Sequence, residues 1–287
     1  MQAPAPLPPS YWRRRTSTVE QGVPLATAWA LAARWMLAFA SMTTGAVSAA
    51  TPARVVSLNL CTDEYLLLTA RPGQIASISR LGADEQESPL ARQARGLATN
   101  SGQLSEVIEQ RPDLVLTMGH DPQGVALAAR LRIRLIALPY PTSPAAVVAQ
   151  VQQVAALVGN TPAGTTFAAR VAALTASAPK AQPGLMIGGS GLAPAMDGLA
   201  AGWLRLAGIA QQQGGQISLE RLLVQPPPIL IRNVYRRGQL SGPQAWSQHP
   251  ALRQLRVTQV EADGRAFLCG GAAMPAEIAR LRKALAT

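Results

Sequence analysis

The sequence predicts an α/β protein of two Rossmann-like lobes with mainly parallel sheets, separated by a helical passage and facing each other across one ligand cleft. Three observations predict this. Short apolar runs of strand length, without polar alternation, recur between helical segments in residues 50–142, the pattern of parallel strands covered on both faces. The stretch 143–178 carries helix caps and helical spacing and no strand signal. Strand and helix signals then alternate again through residues 179–287.

In chain order, "RVVSL" (54–58) reads as a buried strand, followed by a helix from Thr62 to about Ala70 and a strand "IASIS" (75–79). A helix near Ser105 to Gln110 leads through "RPD" into the strand "LVLT" (114–117). "GVALAARL" (124–131) is helical and leads into "RLIAL" (134–138). Ser143 caps a helix with Pro144 at its first position and Gly159 and Asn160 as its stop; Thr161 and Pro162 start another that ends before Pro179. Val147, Val151, Val154, Leu157 and Val158 line the first of these helices, and Phe167, Val171 and Leu174 the second. Strands "GLMIGG" (184–189), "PILIRN" (228–233) and "RVTQVEA" (256–262) follow, with helices near 198–207, 217–223, 247–255 and 275–286.

Residues 1–49 read as a secretory signal peptide: Arg13, Arg14 and Arg15 precede an apolar run from Pro24 that closes on small residues at Ala49 and Ala50. Arg34 interrupts the run and leaves each half short of the roughly 20 apolar residues a spanning helix needs. Cleavage would release a mature chain into the periplasm. The net charge of +11 falls to +8 once four arginines (13, 14, 15 and 34) and Glu20 are removed. The remaining arginines are scattered over amphipathic segments and aromatics are few, which argues against a nucleic-acid partner.

Candidate chemistry is sparse. Gly189 and Gly191 begin a G-x-G-x-x-G pattern, but Pro194 stands at the third glycine and no acidic residue follows at the ribose distance. Ser190 lies in "GGSGL", which does not encode a nucleophile elbow. The two histidines, His120 and His249, have no marked partner for a triad, and His249 before Pro250 reads as a helix start. No catalytic residue and no site for a free metal ion is assigned. The residues just past the strands form instead a set of recognition groups: Asn59 and Cys61, Ser79 and Arg80, Gly119 and His120, Tyr140, Ser190, Tyr235 and Arg236, and Cys269. In open α/β sheets ligands bind beyond these carboxyl ends.

Taken in order, "RVVSLNLCTDEYLLLTA", "IASIS", "EVIEQRPDLVLTMG", "WLRLAGIAQQ", "ISLERLLVQPPPILI" and "FLCGG...MPAEIARLRKAL" resemble the helical-backbone substrate-binding proteins of ABC importers for cobalamin and ferric siderophores. The resemblance spans residues 54–285. It implies a periplasmic receptor without catalysis or a cofactor of its own. Its lobes would be joined by a single long α-helix, and it would take a metal chelate between them and deliver it to a membrane permease with its ATPase. It implies docking to the permease through a glutamate on each lobe: Glu220 matches on the second, while Ser105 stands at the first-lobe position with Glu106 beside it. It also implies aromatic cleft walls, for which Tyr140, Trp203 and Tyr235 are candidates, and a basic cleft for an anionic siderophore from Arg80, Arg232 and Arg236. For Cys61 and Cys269 three states stand open: a disulfide, joint contact with a metal-bearing ligand, or two buried thiols. The last is the expectation, because free cysteine is commonly buried. The rival functions are an exported α/β enzyme holding a nucleotide-like ligand at the Gly189–Gly191 loop, and a ligand sensor that has left transport.

Overall fold

The computed structural model describes residues 51–236 and 249–286; the leader and the first part of the helix expected at 247–255 lie outside them. The first lobe holds β1 (Val55–Ser57), α1 (Leu60–Thr69), β2 (Ile75–Ser79), α2 (Arg80–Ala83), β3 (Thr99–Asn100), α3 (Leu104–Val107), β4 (Leu114–Met118), α4 (Pro122–Leu131) and β5 (Leu135–Leu138). Its strands form one parallel sheet in the order β3-β2-β1-β4-β5. Then come α5 (Pro144–Leu157) and α6 (Thr161–Ala176) with no strand between them. The second lobe holds β6 (Gln182–Ile187), β7 (Leu192–Ala193), α7 (Leu199–Leu206), β8 (Ile209–Gln211), β9 (Gly215–Gln216), α8 (Leu219–Val224), β10 (Ile229–Val234), α9 (Pro250–Arg253), β11 (Thr258–Asp263), α10 (Gly264–Cys269) and α11 (Met274–Leu285). Its sheet is again parallel, in the order β11-β10-β6-β8, with β7 and β9 as a separate antiparallel pair.

Most elements follow from local signals. Asn59 caps α1 by accepting from the Cys61 N–H at 2.9 Å, and Ser143 caps α5 by accepting from Ala146 N–H at 3.2 Å, with Pro144 in its first turn. Gly159 at φ 72° ends α5 in the left-handed region that glycine adopts without a Cβ penalty. His249 caps α9, its Nδ1 accepting from Ala251 N–H.

The elements missed by sequence are short: β3, β8 and the β7/β9 pair span two or three residues each, α2 four and α10 six. Cys269 corrects the reading of it as a residue beyond a strand. Asp263 accepts from Arg265 N–H and starts a helix, and Cys269 is that helix's last residue.

The core is one body across both halves. A single apolar cluster runs from Val55, Tyr65 and Leu114 through Val151 and Phe167 to Met186, Trp203, Ile231 and Ile278. Smaller clusters cover the outer faces, around Val56 and Val115 in the first lobe and Leu185 and Leu230 in the second. Helix α6, 16 residues long and so about 24 Å at 1.5 Å per residue, packs on α5, on α1 of the first lobe and on α11 of the second.

It sits close to α5 because Gly164 leaves room: a Cβ there would lie 2.9 Å from Ala155 Cβ and 3.0 Å from Gln152 Cα. Gly164→Val should therefore push α5 and α6 apart and lower unfolding stability by about 1–3 kcal/mol. Urea denaturation followed by circular dichroism measures this, and an unchanged midpoint would refute the close-packing account.

Candidate functional site

The strand orders locate the places where a ligand can be held. In the first sheet the chain steps outward from β1 to β2 and β3, then returns to the other side as β4 and β5. The connections leaving β1 and β4 therefore part there and leave a crevice at their carboxyl ends. Asn59 to Cys61 and Met118 to His120 occupy those ends. In the second sheet the same parting falls between β6 and β10, at the Gly188–Gly191 turn and at Tyr235 and Arg236.

A groove of about 290 Å³ opens between the lobes at the first of these crevices. The first lobe contributes Asn59, Leu60, Cys61, Leu81, Met118, Tyr140 and Pro141, and the second Leu199, Leu268 and Cys269. Its surface is chiefly apolar. Leu81, Tyr140 and Leu268 are 49, 66 and 51 % exposed, large side chains left facing solvent along one groove. Tyr140 has a defined seat, because Gly119 at φ 87° lies against its ring and a Cβ there would come within 2.8 Å of it.

The cysteines overturn the expectation of two buried thiols. Cys61, in the first turn of α1, and Cys269, at the end of α10, form a disulfide with their Cα atoms 5.1 Å apart. It joins the lobes across a sequence separation of 208 residues and lines the groove. In the chain-entropy account, closing a loop of that length removes about 5 kcal/mol of freedom from the unfolded state.

The neighbourhood of this bond is unusual. Helix α1 is buried on almost every side, including Asp63 and Glu64, because sheet, bridge helices and second lobe surround it. Asp63 accepts from Ser79 N–H and Ser79 Oγ, yet burial still pushes its carboxyl up to about 7. Glu64 has no exposed surface, and neither carboxyl oxygen has a hydrogen bond of normal geometry. Burial pushes it up to about 8, against a lowering by the Ala272 N–H that faces it. It abuts the backbone just after Cys269: a Cβ on Gly271 would lie 2.4 Å from its Oε2, so a side chain there would have to displace the carboxyl.

A second tether joins the lobes beyond β10. Glu87 of the first lobe pairs with Arg236 and accepts from the Tyr235 hydroxyl, and Arg265 donates to the Glu85 carbonyl at 2.6 Å. These groups border a separate cavity of about 210 Å³, lined also by Gln86, Val234 and Asp263.

Of the residues expected at the site, the groove brings together Asn59, Cys61, Tyr140 and Cys269. Arg80 and His120 are exposed, at the start of α2 and the end of β4. Tyr235 and Arg236 face the Glu87 seam, and Arg232 pairs with Glu261 at 2.5 Å. Trp203 corrects its expectation as a cleft wall: it is fully buried in the core, behind Gly270. Ser190 is exposed on the turn after β6, its carbonyl accepting from Gln216. That turn runs into β7 and not into a helix, so the Gly189–Gly191 loop lacks the helix N-terminus a nucleotide phosphate needs. Glu106 and Glu220 are exposed in the first turns of α3 and α8. Hydrogen bonding by Ser101 holds the Glu106 carboxyl low, and the Glu220 backbone N–H and Ser218 do the same for Glu220. Sequence reasoning missed Leu81, Leu199 and Leu268, since single leucines carry no sign of the cleft. It also missed Glu64, whose neighbours are distant in sequence.

No protein-family profile and no curated protein matches the sequence. Solved structures do match in fold. The periplasmic haem-binding protein HutB of Vibrio cholerae is 16 % identical, with a TM-score of 0.65 over 82 % of this chain and 99 % of that one. The periplasmic haem-binding protein RhuT of Roseiflexus sp. RS-1 is 17 % identical, TM-score 0.62, over 80 % and 97 %. The periplasmic vitamin B12 binding protein BtuF of V. cholerae is 14 % identical, TM-score 0.57, over 82 % and 97 %. The chain has the two-lobe fold of these periplasmic binding proteins.

The buried carboxyls set a pH dependence. A carboxyl held above its ordinary value in the fold contributes full stability below its unfolded value, and that contribution is lost as pH rises through the folded one. For Glu64 the window runs from 4.5 to about 8, and for Asp63 from 3.8 to about 7. Melting temperature should therefore fall as pH is raised from 5 to 9, and Glu64→Gln should flatten the fall above pH 7. Equal slopes in the two proteins would exclude a buried, protonated Glu64.

Proposed function

We propose that the mature chain is the periplasmic solute-binding component of an ABC importer. It captures a metal chelate with a largely apolar face in the interlobe groove and presents it to a membrane permease and its ATPase. One observation carries the reading: an apolar groove, rimmed by a seated tyrosine, lies between the lobes at the carboxyl ends of β1 and β4, faced from the second lobe by the start of α7 and the end of α10. The fold shared with periplasmic haem and vitamin B12 receptors and the leader-like residues 1–49 support it.

The electrostatics narrow the ligand class. A strongly anionic siderophore needs unpaired cations, but Arg236 is held by Glu87 and Arg232 by Glu261, which leaves Arg80 of the three. Leucines, Met118 and Tyr140 suit the faces of a macrocycle, and about 290 Å³ is at the small end for ligand sites. A flat tetrapyrrole inserted edge-on, such as haem, fits these constraints better than a bulkier corrinoid. Tyr140 offers it a ring to stack on and a phenol oxygen as a metal donor. Asn59 and Arg80 would meet its polar edge.

The enzyme alternative is the weaker reading. The Gly189–Gly191 turn leads into a strand, and His249 is spent on a helix cap.

Haemin, cobalamin and a ferric siderophore, titrated against the mature protein by absorbance and tryptophan fluorescence, should give binding to haemin first. Tyr140→Ala should weaken that binding about tenfold, roughly 1.4 kcal/mol. No response to any of the three would overturn the function. Docking through Glu106 and Glu220 predicts that Glu106→Lys with Glu220→Lys keeps ligand affinity and abolishes uptake in cells carrying the permease; retained uptake would remove those glutamates from the interface.

A further inference from the structure

The disulfide lies where the lobe seam has least reason to stay shut. Next to it Glu64 is enclosed with neither carboxyl oxygen in a hydrogen bond of normal geometry and only the Ala272 N–H facing it, an arrangement that resists burial because the carboxyl regains little of the hydration it loses. The facing backbone at Gly271 is in close contact with that carboxyl. Opening the seam by a few ångströms would let water reach Glu64, so this carboxyl opposes closure at the point where the disulfide sits. The polar tether around Glu87 lies elsewhere along the seam, beyond β10, and α6 packs on α1 and α11, so the disulfide is the covalent link between α1 and α10 themselves.

We propose that the Cys61–Cys269 disulfide is a redox-sensitive strut: it clamps the two lobes together beside the ligand groove at the buried carboxyl of Glu64, and its reduction lets this part of the seam open. The bond also forms part of the groove wall, so its state sets the spacing between Leu60 and Tyr140 on one side and Leu199 and Leu268 on the other. Cys269 is buried, while Cys61 is half-buried and faces the groove, which makes Cys61 Sγ the reachable sulfur.

Reduction by a dithiol balances as follows. A thiolate of the reagent attacks Cys61 Sγ, and Cys269 Sγ leaves as a thiolate and takes up a proton. The second sulfur of the reagent then displaces Cys61, which is also protonated, as the reagent closes to its cyclic disulfide.

Hydrogen exchange on the mature chain tests the strut without reference to any ligand. Three samples are compared: the oxidised protein, the same protein in dithiothreitol with two thiols confirmed by titration, and Cys61→Ser with Cys269→Ser. Exchange in Leu60–Tyr65 and in the 270–274 segment should rise at least tenfold in the second and third samples, with β4 and β10 unchanged. Unchanged exchange at the seam would overturn the proposal. So would a uniform rise through β4 and β10 or a loss of far-ultraviolet circular dichroism, since the bond would then support the whole fold and not this seam.

The effect on the groove rests on the proposed function and is read separately, with haemin as the probe. Affinity should fall about tenfold on reduction; equal affinity beside a loosened seam would remove the link between strut and groove. A failure of haemin to bind even the oxidised protein would count against the ligand class, and the exchange result would still decide the strut.

Discussion

The seam between α1 and the second lobe is the constraint on which the rest of the structure depends. A helix directly after the first strand of a parallel sheet ordinarily buries one face and shows the other to water. Here α1 is enclosed by its own sheet, by α5 and α6 and by the backbone after Cys269. Its polar residues are therefore buried with it. Thr62 finds Ser57 and Asp63 finds Ser79, while Glu64 finds no such partner. The apolar cluster that passes through Tyr65 and Leu66 continues into both lobes, so the two sheets share one core and hold a preformed groove.

This arrangement decides what the groove offers. With the lobes held by a disulfide at one place and by Glu87 with Arg236 and Tyr235 at another, the charged groups nearest the second sheet's strand ends are spent on the seam. The groove lining is then mostly leucine, methionine and a tyrosine ring, with Asn59 as its polar side chain. A high net positive charge in the sequence thus does not become a basic pocket. The arginines are used one at a time, as in Arg232 on Glu261, Arg280 on Glu277 and Arg282 on the carbonyls that end α6 and α7. The same economy of charge favours ligands recognised by shape and apolar area.

Both parallel sheets, the helical passage and its caps were legible in the chain. Ser143 with Pro144 and Gly159 with Asn160 announce their helix ends through local hydrogen bonding and φ preference, which need no distant partner. Unalternated apolar runs announced β1, β4 and β10 because burial on both faces requires them. The candidate site was legible only by position: Asn59, Cys61 and Tyr140 follow from the rule that strand ends face ligands, whereas Cys269 reaches the groove from the end of a helix. Tyr235, placed by that rule, faces the Glu87 seam, and Trp203, expected as a cleft wall from the resemblance, lies in the core. An aromatic near a strand end can turn into the core or onto the other lobe, and its sequence neighbours do not differ between these cases.

The sequence by itself determined the fold class, the element order and the division into strand-bearing lobes around a helical passage, since these depend on periodicity, caps and turn residues within a few positions of each other. Tertiary structure alone decided that Cys61 and Cys269 are bonded, that Glu64 is enclosed at the seam, that Arg236 is neutralised by Glu87, and that four scattered leucines and Tyr140 line one groove. The physical reason is separation along the chain. Each of these facts pairs groups many residues apart, and the distance between such groups is fixed by how the two sheets pack and not by any local preference of the backbone.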